Sequence, residues 1–434
     1  MSETNNWYGE VLIIGAGAAG LSAAHLLHNQ EISFMLLEAS NRAGGRIWSI
    51  DDGFASFPLE MGAEEIHGSQ SIWYECVRRA GKHLLRPSGW DYFYLNGRLD
   101  SERQWYQDQD LQWLDVFFAE LYDYEGAEIN LMHYIREQEV PPHLLPLLEA
   151  WVGNEYGTSN ERIGLRSLIE ADRAWLSGNG NYVLQEASCM SVIDKVFAEV
   201  MPKIKYGHAV KHIDYSGEFV RVTDQNGNLF FADKLIITVP LTVLQRNDIV
   251  FHPPLPETTQ TAIHSLRMDA GLKVILKFSE AFWPANMQSL YGGTFVPEYW
   301  VTNLGRSQGE YLLTAFVNGK PAERLSEMPQ ADALALILQE LGTLLGRANP
   351  KDLLLDYRWA DWKKEPFIGG AYSYPSPNAT QYRQALAQPI NKTLYFAGEA
   401  THTGGHFATV HGAMETAYVA VERLLKDVGM LPQI

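Results

Sequence analysis

Cysteine is nearly missing from this chain. Its 434 residues include two, Cys76 and Cys189, far apart and in no CxxC arrangement. A disulfide framework and a thiolate zinc site are thereby excluded. Long apolar runs are missing as well: none approaches the ~20 residues a spanning helix needs. The opening MSETNNWYGE has no basic stretch leading into an apolar one, and the closing KDVGMLPQI carries no anchor or peroxisomal tripeptide. The expectation is a cytoplasmic protein without a membrane partner. Positive charge is scarce, with 34 Lys and Arg against 52 Asp and Glu, a formal net charge of −18. Such a field repels nucleic acid and anionic membranes and favours the approach of cations.

What is present is enough for at least two domains, because one hydrophobic core rarely serves so long a chain. Aromatic residues reach 12%, a supply that suits a pocket lined with rings. The most informative segment is EVLIIGAGAAGLSAAHLLHNQEISFMLLEASNRAGGR. An apolar run, Val11 to Ile14, reads as a strand buried on both faces. Gly15, Gly17 and Gly20 complete GxGxxG, a helix follows, and a second apolar run ends at Glu38. Strand, glycine turn, helix, strand and acid make a dinucleotide-binding unit. Gly15 allows the tight turn, Gly17 the approach of a pyrophosphate, and Gly20 close packing of helix on strand. The helix N-terminus around Ala19 supplies oriented N–H groups to phosphates. Glu38 stands where a carboxylate takes ribose hydroxyls.

Those glycines do not separate FAD from NAD. The following ASNRAGGR does: its Arg–x–Gly–Gly–Arg turn, Arg42 to Arg46 with Gly45 inside, resembles the flavoprotein family of amine oxidases, protoporphyrinogen oxidases and carotenoid desaturases. The resemblance implies that Arg42 and Arg46 serve the pyrophosphate and its loop. A second segment, TLYFAGEATHTGGHFATVHGAMETAYVAVERLL, closely resembles the C-terminal signature of flavin amine oxidases. It implies that Gly398 and Glu399 hold the ribityl chain and that the helix beginning near Thr409 and Val410 aims its dipole at the flavin. Ala413, Ala417, Ala420 and Leu424 lie at helical spacing there. His402, His406 and His411 lie close together, but their spacing matches no helical ligand pair and no carboxylate is seen with them, so no metal is expected. By the same resemblance Val210 in YGHAVKHIDYSG meets the adenine through its backbone, and Gly62 and Ala63 in LEMGAEEIHG lie along the flavin. Trp362 heads a Trp–x–x–acid–Pro…Gly–x–Tyr pattern that closes on Tyr372.

GLKVILKF, Gly271 to Phe278, alternates as a half-buried strand whose Lys273, Ile275 and Lys277 would face solvent. The resemblance reassigns one of them. In flavin amine oxidases a lysine matching Lys273 hydrogen-bonds a water beside flavin N5; Lys277 keeps the solvated reading. The implied chemistry moves a hydride equivalent from the amine's α-carbon to the flavin and leaves an imine that water hydrolyses, with molecular oxygen taking the electrons and hydrogen peroxide released.

The amine itself is narrowed by three positions. Ala371 stands where monoamine oxidases carry the cysteine that joins the flavin, so FAD is expected to be non-covalent. Tyr372 is paired with Thr409 rather than a second aromatic, which is similar to mammalian-type spermine and acetylpolyamine oxidases and to the lysine-specific histone demethylases. Glu64 and Glu65 occupy the loop where L-amino-acid oxidases carry an arginine, and His67 follows them; acidic groups suit a polycation. Catalytic roles thus fall to Lys273, His67 and Tyr372, and substrate contacts to Glu64, Glu65, His67, Tyr372 and Thr409. A monoamine or L-amino-acid oxidase on the same scaffold is the alternative, and a flavin-binding protein without activity is a further one. A histone demethylase is disfavoured on length, for want of a chromatin-binding domain and a long helical insertion.

The fold expected is α/β: a Rossmann-like FAD domain on a central parallel sheet, with a second α+β substrate domain. The FAD domain is discontinuous (residues 1–75, 195–255 and 380–434), and 76–194 with 256–379 form the substrate domain. Helices over about 104–172 and a roughly six-stranded sheet around 271–318 would build that second domain.

Overall fold

The computed structural model describes residues 7–307 and 309–431. Its first layer grows from the dinucleotide unit. Strand β1 (Trp7–Ile14) is followed by helix α1 (Ala18–Asn29) and strand β2 (Phe34–Leu37), with β1 and β2 parallel. Leu12, Ile13, Leu36 and Leu37 have no solvent exposure, as the unbroken apolar runs require. The sheet has eight strands. Across it run Ile204–Lys205, β2, β1, Leu229–Ile237, Val220–Asp224, Val210–Asp214 and Val250–His252; Leu394–Phe396 lies parallel beside Leu229–Ile237. The central strands are parallel, while Val220–Asp224 is antiparallel to both its neighbours. Helix α1 and the C-terminal helix Val410–Asp427 share one core on one face, where Ala417, Ala420 and Leu424 meet Leu21, Ala24 and Leu27. Small residues let those helices approach closely.

The second sheet has seven strands, more than the sequence pattern indicates. Leu354–Asp361 and the hairpin Trp90–Leu95/Arg98–Ser101 add edges to the 271–318 set. Gly271–Phe278 is not an edge strand: it pairs antiparallel with Tyr311–Asn318 on one side and Leu354–Asp361 on the other. One of its faces, Leu272, Val274, Leu276 and Phe278, packs on helices Gly319–Glu327 and Gln330–Leu344. The other face was expected to meet solvent and does not. Ile275 packs with Phe54, Phe57, Leu59, Met61 and Trp362, and Lys273 is 4% exposed. A loop of the first domain lies over the strand, so strict alternation here records two dissimilar buried faces. Even Lys277 is only partly open, donating to the Phe54 carbonyl and standing 3.8 Å from Glu310.

The helical wall is present as Gln109–Tyr122, Leu131–Glu137 and Leu165–Arg173, with a π-helical turn at Glu149–Asn154. Their inward residues Leu111, Leu114, Leu165 and Leu168, with Leu147 of the short helix Leu145–Leu148, form a separate core. A short strand, Asn181–Leu184, stitches Ile66–His67 to Leu84–Leu85 and so anchors the acidic loop.

Candidate active site

A single cavity of about 1380 Å3 runs from the glycine turn to the second sheet. Of the positions singled out in sequence, Gly15, Gly17, Ala19, Glu38, Arg42, Gly45, Arg46, Gly62, Ala63, Val210, Trp362, Gly398, Glu399, Thr409 and Val410 line it, as do Glu64, Glu65, His67, Lys273 and Tyr372. Gly20 stands apart, and its geometry says why. A Cβ there would lie 1.8 Å from the Gly15 carbonyl, so this glycine lets α1 sit on the turn. At Gly17 a Cβ would meet nothing within 4 Å, because the backbone faces the cavity.

The cradle fits a dinucleotide. Helix α1 has no side chain capping its first turn, so its free N–H groups and dipole call for an acceptor such as a phosphate. Glu38 is 8% exposed and ties the cradle together, accepting from Ala16 N at 2.8 Å and from Ser40 N and Oγ at 2.9 and 2.8 Å. A carboxylate offers about four acceptor positions, so one remains for a ribose hydroxyl. Arg42 donates to the carbonyls of Ala43 and Ile47, while burial draws its guanidinium below its usual range.

Glu399 is arranged otherwise than the ribityl role implies. Its oxygens meet Arg46 Nη1 at 2.9 Å, Ser373 Oγ at 2.6 Å, Ser373 N at 3.3 Å and Ala408 N at 2.9 Å. Burial alone would raise this carboxyl, but Arg46 and Arg383 hold it below its ordinary range. With its acceptor positions taken within the chain, the carboxylate organises the loop that lines the cavity here. Thr409 is likewise occupied. It caps the Val410–Asp427 helix, accepting from Gly412 N at 2.9 Å and donating to the His406 carbonyl at 2.7 Å, which leaves no hydroxyl proton for a substrate. Ala408, just before it, is held at φ 65°, a left-handed conformation that costs an alanine about 1–2 kcal/mol.

Lys273 and Glu64 also depart from expectation. The ammonium donates to the Gly62 carbonyl at 2.9 Å, the Glu60 carbonyl at 3.1 Å and Glu64 Oε2 at 3.1 Å. An ammonium has three N–H groups, so none is left for a water. Glu64 in turn receives Arg306 Nη1 at 3.3 Å on its other oxygen. A carboxylate already clamped between two cations is not a free partner for a substrate ammonium. Glu65, the next residue, does face the cavity. Its nearest basic neighbour is His67, whose Nδ1 stands 3.7 Å away and also meets Asn181 Oδ1 at 3.1 Å.

Two carboxylates that the sequence pattern did not disclose join Glu65. Glu155 and Glu298 line the same cavity, and among the described residues neither has a lysine or arginine within salt-bridge reach. Burial raises both above the ordinary carboxyl range; Glu65 adds to each, Glu155 raises Glu298 further, and His67 works against the rise at Glu155. Deeper in the wall, burial and Glu102 bring Asp91 up to about 6. Tyr372 stands among them, its hydroxyl donating to the Glu155 carbonyl at 2.9 Å and accepting from Asn318 Nδ2 at 3.2 Å. Burial and the neighbouring acids push that phenol well above its normal range, so it stays neutral.

The histidines beyond the cavity do have a carboxylate, contrary to the sequence reading. His402 Nε2 and His406 Nδ1 each lie 2.8 Å from Glu415 Oε2. The tautomers still argue against a metal. His402 Nδ1 accepts from Gly404 N and His406 N, and His406 Nε2 accepts from Leu176 N. The nitrogens facing Glu415 therefore carry the protons, whereas a metal needs lone pairs there and N–H groups on the far side. Burial alone would raise Glu415, but these two hydrogen bonds bring it down to about 2. His411, packed on His406 and Trp175, is held down to about 3 by burial and His406, and its Nε2 has no partner.

A dinucleotide cradle continuous with a cavity in a second, sheet-and-helix domain defines a two-domain nucleotide-dependent oxidoreductase fold. The chain belongs to the flavin containing amine oxidoreductase family, whose model matches residues 18–425. It is similar to polyamine oxidase 3 of Oryza sativa subsp. japonica, 28% identical over 95% of this chain and 88% of that one. It is also similar to lysine-specific histone demethylase 1B of Mus musculus, 29% identical over 93% of this chain, and spans about half (51%) of that relative's length. Among solved structures, putrescine oxidase bound to putrescine superposes with a TM-score of 0.82 at 17% identity, covering 97% of this chain and 100% of that one. Cyclohexylamine oxidase from Brevibacterium oxydans IH-35A gives 0.82 at 19%, covering 97% and 99%. Both share its fold.

Proposed function

We propose that the protein binds FAD non-covalently in this cavity and oxidises a carbon–nitrogen bond of an amine with more than one positive charge, a polyamine such as spermine or spermidine, with oxygen as acceptor. The observation that carries the substrate class is the trio Glu65, Glu155 and Glu298, carboxylates on the cavity wall without a lysine or arginine beside them. Glu65 and Glu155 are open to the cavity and Glu298 is half-buried, so all three are free to meet the ammonium groups of a cationic ligand. The glycine cradle and Glu38 fit the adenosine and pyrophosphate, and Ala371 offers no nucleophile for a covalent link.

Bound flavin supplies the two-electron acceptor that the oxidation needs. The protein's share is placement and charge. Glu155 and Glu298 hold the distal ammonium groups, Glu65 and His67 meet the nitrogen nearer the reacting carbon, and Tyr372 and Trp300 wall the cavity with rings. His67, with Nδ1 toward Asn181, has its remaining ring nitrogen to accept a proton from the reacting ammonium. That nitrogen must be neutral for oxidation while the distal ones stay charged, so Glu155 and Glu298 hold the charged end and His67 takes the proton from the reacting one.

Mixing the protein anaerobically with spermine, spermidine, N1-acetylspermine, putrescine, phenylethylamine, L-amino acids and a methyl-lysine peptide tests this. Bleaching of oxidised flavin fastest with the polyamines is expected, and peroxide on admitting air. Equal or faster bleaching by phenylethylamine or an amino acid would overturn the substrate class.

A further inference from the structure

The buried ionic group at the centre of the cavity wall is a triad rather than a lone lysine. Lys273, Glu64 and Arg306 have side-chain exposures of 5, 6 and 3%. Glu64 places one oxygen 3.1 Å from Lys273 Nζ and the other 3.3 Å from Arg306 Nη1. Lys273 lies 5.3 Å from the centre of the Trp300 ring, and Arg306 sits over Phe57 at 5.1 Å. Arg306 Nη1 also donates to the Thr302 carbonyl, whereas its Nε is buried without a partner among the described residues. Lys273 and Glu64 line the cavity; Arg306 stands behind them. Two cations and one anion leave the group one positive charge, and Glu64 decides how much of it the cavity feels.

We infer that Glu64 is a positioning and charge-setting residue for Lys273: it takes the lysine's third N–H and cancels part of its charge, and so sets how strongly this wall stabilises reduced over oxidised flavin. The inference rests on the reading that flavin occupies this cavity. Negative charge grows on a flavin as it is reduced, and a nearby uncompensated cation favours that form. Removing the anion exposes Lys273 and Arg306, and removing Arg306 leaves a neutral Lys273–Glu64 pair. The two changes therefore act in opposite directions.

The test is the flavin midpoint potential of the whole protein, measured by anaerobic titration against a reference dye, which requires no turnover. Glu64→Gln is expected to raise the potential by the equivalent of about tenfold in the ratio of affinities for reduced and oxidised flavin, the scale of one buried charge. Arg306→Met is expected to lower it. In a Lys273→Met background, the Glu64→Gln shift is expected to shrink by more than half. Equal potentials for the parent and Glu64→Gln, or a shift of the same size with and without Lys273, would overturn the inference. If Glu64→Gln does not fold, Arg306→Met carries the test alone, and a potential that rises or stays level overturns it. A parent protein that retains no flavin would instead overturn the cofactor reading.

Discussion

Glu60 offers a stability test beside the same wall. It lies on the short strand Leu59–Glu60, is 3% exposed, and accepts from Cys189 N at 2.7 Å and Ser49 Oγ at 2.6 Å. Burial raises its carboxyl from 4.5 to about 7, against the lowering effect of those two hydrogen bonds and of Lys273. Lys273 approaches the Glu60 carbonyl rather than the carboxylate, so no full ion pair offsets the burial. The folded chain therefore keeps a proton that the unfolded chain gives up above pH 4.5. Its contribution to stability is complete below that pH and is lost as pH rises through 7. At 1.36 kcal/mol per pH unit, the whole effect is about 3 kcal/mol, of which about 2.5 falls between pH 5 and pH 8. Glutamine mimics the protonated acid in shape and hydrogen bonding and cannot ionise. Glu60→Gln should accordingly be near neutral at pH 5 and more stable than the parent by about 2–3 kcal/mol at pH 8, read by urea denaturation at matched flavin concentration. His411, whose loss of stability runs toward acid pH, is the same in both proteins and cancels from the difference. A parent–variant difference that stays constant from pH 5 to pH 8 would refute the reasoning.

Four further outcomes follow from the site. Glu298→Gln and Glu155→Gln should each raise KM for a polyamine by about 10–100-fold, the worth of a charge-assisted hydrogen bond, while leaving KM for a monoamine nearly unchanged; equal effects on both would remove these acids from recognition. Because burial and the neighbouring Glu65 raise both carboxyls, polyamine binding should weaken as pH falls through that raised range, and a KM for polyamine that is level or improves toward acid pH contradicts this. Lys273→Met should keep the flavin bound yet slow flavin reduction or reoxidation about tenfold, and stopped-flow rates matching the parent would show the lysine to be structural. Gly20→Ala, whose Cβ would fall 1.8 Å from the Gly15 carbonyl, should abolish flavin retention and cost at least about 2 kcal/mol; full flavin content on purification would contradict it.

How much of this was legible in the chain depends on distance along it. The cradle was, because β1, the glycine turn, α1, β2 and Glu38 are consecutive and each residue type answers a local demand. The C-terminal helix was readable for the same reason. The strand Gly271–Phe278 shows where local reading stops: its alternation is real, but solvent is replaced by the 54–62 loop, over 200 residues away. Glu155 and Glu298 carry no local signal at all, one just past a π-helical turn and the other at the start of a strand. Only tertiary structure brings them to one cavity. Glu415 escaped notice among the histidines because it lies on the helix while His402 and His406 lie on the loop before it.

The same limit explains why adjacent acids in LEMGAEEIHG have opposite fates. Ile66–His67 pairs with Asn181–Leu184, which fixes the loop's facing, and successive residues of an extended segment point to opposite sides. Glu64 turns inward onto Lys273 and Arg306; Glu65 turns outward to the cavity beside His67. The surplus of negative charge is thus sorted by whether a cation of the chain already answers it. Where one does, at Glu64 and Glu399, or where two histidine N–H groups do, at Glu415, the acid builds the wall and the cofactor loop. Where, among the described residues, no lysine or arginine does, at Glu65, Glu155 and Glu298, the acid stays open to the proposed polycationic substrate. Net charge alone could not have separated these two groups, since every one of the six contributes equally to it.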